Sequence, residues 1–280
     1  MKLQISHLIF VGSLTWKNCE EALSMIDRAI AEGLDVKFDT GAYHCYASPI
    51  NVYLPRWFLE NTPGVYEDRK ALKKLKRRIG LMESLLGFGY EDIQITYAHH
   101  EELNQYNGMF LAEIARKRGM KDFENFIDIA EKSNGLARVL NHRYSNPEVV
   151  DTLMAHPASL FMTDATTVTE GVQNPGCFGC FPKFLMDARE RNIISLEEAV
   201  WKMTGGSADR FGIDRRGLIK EGMAADIVVF DAENITDNNT LTETDRAPTG
   251  IDAVFINGVR VGKDGVADGD SGAGVVDRLA

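Results

Sequence analysis

Four short apolar runs each lead into a residue able to do acid–base or metal chemistry. Leu3–Ser6 runs into His7, Leu34–Phe38 into Asp39, Ile93–Tyr97 into His99 and His100, and Ser159–Met162 into Asp164. An imidazole moves protons near neutral pH or ligates a metal. A carboxylate can take a proton from an attacking water. Each also has a plainer role: a histidine can make one structural hydrogen bond, and an aspartate can cap a helix or close a turn. His44 lies five residues beyond Asp39. Cys177-Phe178-Gly179-Cys180 has the spacing of a redox pair or half a zinc site, yet no second CxxC or CxxH accompanies it. Its glycines and flanking prolines predict a loop carrying free thiols.

The elements that must position these residues alternate between strand and helix. Leu23, Ile26 and Ile30 at helical spacing predict a helix over 16–32, stopped by Gly33. Further helices are predicted over 68–86, 108–118, 123–133, 147–155, 183–190 and 195–203, the last opened by the capping box at Ser195 to Glu198. Strands are predicted at 3–6, 34–38, 93–97, 136–140 and 159–162. Such alternation implies a parallel sheet with helical crossovers, and in a parallel α/β barrel the carboxyl-terminal rim is where chemistry sits. Five barrel-type strands fall short of the eight in a closed barrel, and the chain opens inside a strand; both lead to the expectation that amino-terminal material is absent. After Gly217 the texture becomes strand and turn: 225–230, 251–256, and Asn257-Gly258 as a hairpin turn into Val259–Val261.

The 280 residues are 44% hydrophobic and 26% charged, with a net charge of −10. A chain of this length buries a sizeable core without staples. Its acidity argues against nucleic acid and anionic membranes as partners, but leaves room for a small anionic substrate at a local positive site. The amino-terminal stretch MKLQISHLIF does not read as a signal peptide, and no window of about 18 apolar residues exists to span a membrane. The cytoplasm is the expected compartment.

Several segments carry a more specific message. GLIKEGMAADIVVFD (217–231), TGIDAVFINGVRVGKDG (249–265) and AVWKMTGGSADRFGI (199–213) resemble the carboxyl-terminal region of the amidohydrolase superfamily. ISH at 5–7, FDTGAYH at 38–44, MTDATT at 162–167 and CFGCFPKFL at 177–185 are similar to its N-acyl-D-amino-acid deacylase (D-aminoacylase) branch. The resemblance runs the length of the chain in the family's order. It implies an α/β fold: the second half of a TIM-like (β/α) barrel, from strand five, over residues 1–205, with a helical insertion at about 100–157. Part of a small β-sandwich is then expected over 206–280.

It also implies hydrolysis of the linear amide of an N-acyl-D-amino acid, helped by zinc as one or two divalent ions. His7 matches the family's strand-five metal histidine, and Asp164 its general base, although Ala165 replaces the glycine that follows. The strand-six ligand stays open between Asp39, favoured by alignment, and His44, favoured by residue type. The family's carboxylate-binding arginine is missing where Asn174-Pro175-Gly176 stands. His99, Lys183 and Arg143 are the candidate substrate contacts. The family's strand-one HxH pair and strand-four ligand have no counterpart here, so the isolated chain is expected to need a complementary amino-terminal chain or a homo-oligomer. Two alternatives stay open: a ring-opening hydrolase of the dihydroorotase or dihydropyrimidinase kind, and a non-catalytic half-barrel remnant that binds partners through exposed strand edges.

Overall fold

The computed structural model describes residues 2–167, 170–241, 243–264 and 266–267. The chain opens with β1 (Lys2–Ile5), α1 (Cys19–Ala31), β2 (Asp35–Thr40), β3 (Tyr46–Pro49), α2 (Arg56–Leu59), α3 (Arg69–Leu86) and β4 (Ile93–Tyr97). It continues through α4 (Leu111–Arg118), α5 (Asp122–Lys132), β5 (Arg138–Asn141), α6 (Pro147–Ala155) and β6 (Ser159–Phe161). Then come α7 (Gly176–Arg191), α8 (Leu196–Met203), α9 (Gly205–Phe211), β7 (Ile227–Phe230), β8 (Ile251–Ile256), β9 (Val259–Lys263) and β10 (Val266–Ala267).

A three-stranded parallel sheet positions the residues of interest. β2 is its centre, with β1 on one side and β6 on the other, and register places Ile5 beside Phe38 and Thr40 beside Phe161. His7, Asp39 and Asp164 therefore emerge at one end of the sheet. The central strand is covered on both faces, as parallel strands usually are: Val36, Phe38, Asp39 and Thr40 are all buried. The helical spacing read in α1 has a plain cause, since Cys19, Leu23 and Ile26 pack with Val36 and Phe38 of β2 and with Val149 and Leu153 of α6. Burying side chains of this size contributes about 1.5–3 kcal/mol each. Lys202 of α8, almost fully buried, donates to Met154 O, His156 O and Ser159 Oγ at 2.7–2.8 Å and so pins the start of β6.

Two of the predicted strands lie elsewhere than expected. Ile93–Tyr97 and Arg138–Asn141 do not join the parallel sheet; β4 and β3 pair antiparallel with β5 on its two sides. The misreading has a physical root. Ile93–Thr96 is buried on both faces, so it shows the continuous burial of a parallel strand, and a short apolar run says nothing about which neighbour it pairs with. This second sheet has its own core, in which Ile50, Phe58, Leu75, Ile95, Leu111, Ile114 and Val139 are fully buried. α3 closes the cluster. Asp68 caps its start, accepting from Lys70 N and Ala71 N, and Gly87 ends it in the left-handed region at φ 78°.

His142, just beyond β5, donates from Nε2 to Gln94 Oε1 at 2.9 Å and packs on the Phe110 ring. Burial lowers its pKa to about 4, and His44 pushes the same way while Asp92 opposes. In the unfolded chain the same histidine is protonated below about 6.5. Its contribution to stability is therefore intact above pH 6.5 and drains away as pH falls toward 4. The melting temperature is expected to decline across that window, and His142→Gln to flatten that part of the curve. An unchanged pH slope in the variant would assign the decline to other groups.

The carboxyl-terminal sheet runs β10-β9-β8-β7, antiparallel throughout. Asn257 and Gly258 both have positive φ, 51° and 79°, as a two-residue hairpin turn requires. The predicted loop at the CxxC is corrected: α7 begins at Gly176 and runs through both cysteines and Pro182. Asn174 Oδ1 accepts from Gly176 N and starts the helix. Gly179 is there because a side chain would strike Tyr43 Oη, Asp237 and Asn239, and the apolar side of α7 (Cys180, Phe184, Leu185) is core. Glycine and proline signalled a loop from local propensity, and tertiary packing overrode it. All four cysteines are free, and burial pushes the Cys45 and Cys180 thiols up to about 12.

Candidate active site

His7 and Asp164 meet across the end of the parallel sheet, with His7 Nε2 3.2 Å from Asp164 Oδ1. Their side chains are 47% and 38% exposed, so the pair faces outward and a small molecule can reach it. Both residues have positive φ, 53° and 43°. Non-glycine residues in this region are uncommon and cluster where backbone strain serves function. The turn at each strand end aims the two side chains at one another instead of along their strands.

Asp39 locks this arrangement from below. It is 7% exposed; its Oδ1 accepts from the backbone N–H of His7 at 2.8 Å, and its Oδ2 from Gln4 Nε2 at 2.8 Å. Gln4 Oε1 in turn accepts from Arg210 Nε at 3.0 Å. Arg210 also donates to Asp35 Oδ1 at 2.6 Å and to Leu3 O. A continuous chain of hydrogen bonds thus runs from α9 through β1 and β2 to the His7–Asp164 pair. Neither Gln4 nor Arg210 carried a signal in the sequence, because the bond between them spans 206 positions.

Electrostatics at Asp164 suit a proton acceptor. Burial raises its pKa above the ordinary 3.8, His7 opposes that shift, and Asp39 adds to it. The loop carrying Asp164 is held from behind by α7: Asn174 Nδ2 donates to Asp164 O at 3.4 Å, and a side chain on Gly176 would strike Thr163 O.

Two of the remaining candidates, Lys183 and Arg143, are already engaged in ion pairs. Lys183 Nζ donates to both carboxylate oxygens of buried Asp187, at 3.1 and 2.9 Å. Arg143 Nε donates to Asp92 Oδ1 at 2.9 Å. His44 is partly buried, and its pKa is lowered first by burial and then by Lys183 and Arg143. His99 follows β4 on the antiparallel sheet, its ring 4.1 Å from that of Tyr97.

The donor atoms that converge fit part of a metal site. Ligand atoms about 2.0 Å from a tetrahedral zinc stand about 3.3 Å apart, close to the His7–Asp164 separation. Zinc sites take at least three protein ligands, and among the described residues no three His, Cys, Asp or Glu side chains form a group that could hold a metal ion. His7 and Asp164 are the two candidate donors that meet among the described residues.

The amidohydrolase family model matches residues 70–261, more than half of the chain. A D-aminoacylase of Alcaligenes xylosoxydans xylosoxydans is 30% identical over 177 residues, covering 63% of this chain and 35% of its own. The N-acyl-D-glutamate deacylase of the same organism is 27% identical over 259 residues, covering 92% of this chain and 44% of its own. The chain therefore spans less than half the length of these relatives. The crystal structure of an N-acyl-D-glutamate deacylase from Bordetella bronchiseptica, complexed with zinc and a phosphonate inhibitor, superposes with a TM-score of 0.71 at 24% identity, over 93% of this chain and 46% of that one. At that identity the likeness establishes a shared fold. Among the described residues no helix is long and apolar enough to cross a membrane.

Proposed function

The chain belongs to the amidohydrolase family, and from that premise we propose that it is the carboxyl-terminal half of a metal-dependent hydrolase that cleaves the linear amide of an N-acyl-D-amino acid. In this reading the β1–β2–β6 sheet is an arc of a (β/α) barrel, and β7–β10 is part of a small β-sandwich. The observation that carries it is the His7–Asp164 pair, 3.2 Å apart at the carboxyl ends of two parallel strands.

His7 and Asp164 would hold a divalent ion such as zinc, which when bound supplies Lewis-acid polarisation of the scissile carbonyl. Asp164, with its raised pKa, takes the proton from the attacking water and returns it to the leaving amine. Asp39 fixes the His7 backbone and keeps the pair in register. The outer edge of β1 has no strand partner among the described residues. A strand laid parallel on it would end beside His7, which is where further ligands from a complementary chain or a second copy would enter.

The test is release of D-methionine from N-acetyl-D-methionine in the presence of zinc. It is run with the chain alone and with the amino-terminal half of a D-aminoacylase added as a separate polypeptide. Zinc-dependent release that chelation abolishes and the L-enantiomer does not support is expected in at least one arm. No release in either arm would sink the assignment.

A further inference from the structure

Glycine and proline predict a loop at Cys177-Phe178-Gly179-Cys180, whereas dithiol redox pairs of this spacing sit on the opening turn of a helix. The structure supplies that turn. α7 begins at Gly176, so Cys177 and Cys180 both lie at its amino end. Helical geometry sets residues three apart at about 5 Å from Cα to Cα, inside the range of about 4.4–6.8 Å that a disulfide accepts. The helix is also loosened here. Pro182 has no N–H, so Phe178 O, between the two cysteines, lacks its α-helical donor. Cys177 is half-buried, while Cys19, Cys45 and Cys180 are buried. A small oxidant arriving from solvent therefore meets Cys177 first.

We propose that Cys177 and Cys180 form a redox modification site, closing to a reversible intrahelical disulfide by exchange with a small disulfide such as oxidised glutathione. The Cys177 thiol releases its proton, and its sulfur attacks the small disulfide. That S–S bond breaks, one thiol leaves, and a mixed disulfide remains on Cys177. Cys180 then gives up its proton and attacks the Cys177 sulfur, expelling the second thiol. The chain loses two electrons and two protons, and the small disulfide takes them up as two thiols. Burial raises the Cys177 thiol and pushes that of Cys180 up to about 12. Exchange near neutral pH is therefore slow, and no stabilised thiolate favours the reduced pair. Closure also reaches the candidate site. Cys180 Sγ donates to Met162 O at 3.1 Å, just past β6, and a disulfide sulfur has no hydrogen to donate. Oxidation thus removes a bond to the segment that leads into Asp164.

The test maps thiols in the whole chain and reads no turnover. The wild-type chain is held for hours in glutathione buffers of rising oxidised fraction. Remaining thiols are blocked with N-ethylmaleimide, and the chain is digested with trypsin without reduction. The tryptic peptide 144–183 contains Cys177 and Cys180 and no other cysteine. Most of it is expected to become lighter by two hydrogens, and to take up N-ethylmaleimide at both cysteines when dithiothreitol precedes the block. Cys19 and Cys45 should remain thiols. Cys180→Ser is expected to stop at the mixed disulfide, with one glutathione on Cys177, and Cys177→Ser to carry none. Two free thiols in the wild-type peptide at every buffer ratio, a bridge from either cysteine to Cys19 or Cys45, or glutathione left unresolved on Cys177 of the wild type would overturn the proposal. The wild-type map alone decides the matter if a variant does not fold.

Discussion

Asp164→Asn is expected to lower zinc-dependent turnover by about two to four powers of ten, the usual contribution of a positioned general base. Asparagine keeps the shape of the side chain and can still meet His7, but its amide does not accept a proton from water. The pH profile gives an independent check. The wild type should lose kcat/KM on the acid side as Asp164 takes up a proton, and the variant should lose that limb. Stability should move the other way or not at all. An aspartate whose folded pKa is raised costs stability once pH rises past its ordinary value, so a neutral replacement carries no penalty at neutral pH. Lost activity with an unchanged melting temperature is therefore the expected pattern. Unaltered turnover would remove Asp164 from the mechanism, and lost activity with a collapsed melting temperature would make it a structural residue.

The sequence displayed this pair for a specific reason. His7 and Asp164 each follow a short apolar run, and parallel strands carry such residues to one rim; the structure does bring them, with Asp39, to one end of the β1–β2–β6 sheet. What it hid were interactions between distant positions. Ile93–Ile95 shows the same apolar texture as β2, yet pairs antiparallel with β5, because a strand's residues record burial and not the direction of its neighbour. β3, Tyr46–Pro49, is not legible because its serine and proline obscure a strand of four residues. Arg138 looked like one more charged residue. Only the fold shows that its Nε is buried and unpaired beside the Asp164 loop.

Arg210 is the most consequential of these hidden residues, and Arg210→Met is expected to cost about 3 kcal/mol of folding stability. Its side chain is 5% exposed and makes charge-assisted bonds to Asp35 Oδ1, Gln4 Oε1, Leu3 O and Asp35 O. Single bonds of this kind contribute about 1.5–3 kcal/mol. Members of one network do not add, and Asp35 is half exposed and can turn to water, so the total stays near the upper value for one bond. For a chain of this size that corresponds to a fall of roughly 6–12 °C in melting temperature. Arg56→Met is the matched control: Arg56 pairs with Glu60 on an exposed helix face, and its loss should cost under about 0.5 kcal/mol. The consequence reaches the site, because Arg210 holds Gln4, Gln4 holds Asp39, and Asp39 holds the His7 backbone. Gln4→Leu breaks that chain nearer the pair while leaving the bonds from Arg210 to Asp35 and Leu3 in place. It should therefore weaken zinc retention by the chain combined with the amino-terminal half of a D-aminoacylase, with a smaller drop in melting temperature than Arg210→Met. If Gln4→Leu retains zinc as the wild type does, the network braces the sheet without positioning His7, and the route from α9 to the site is broken.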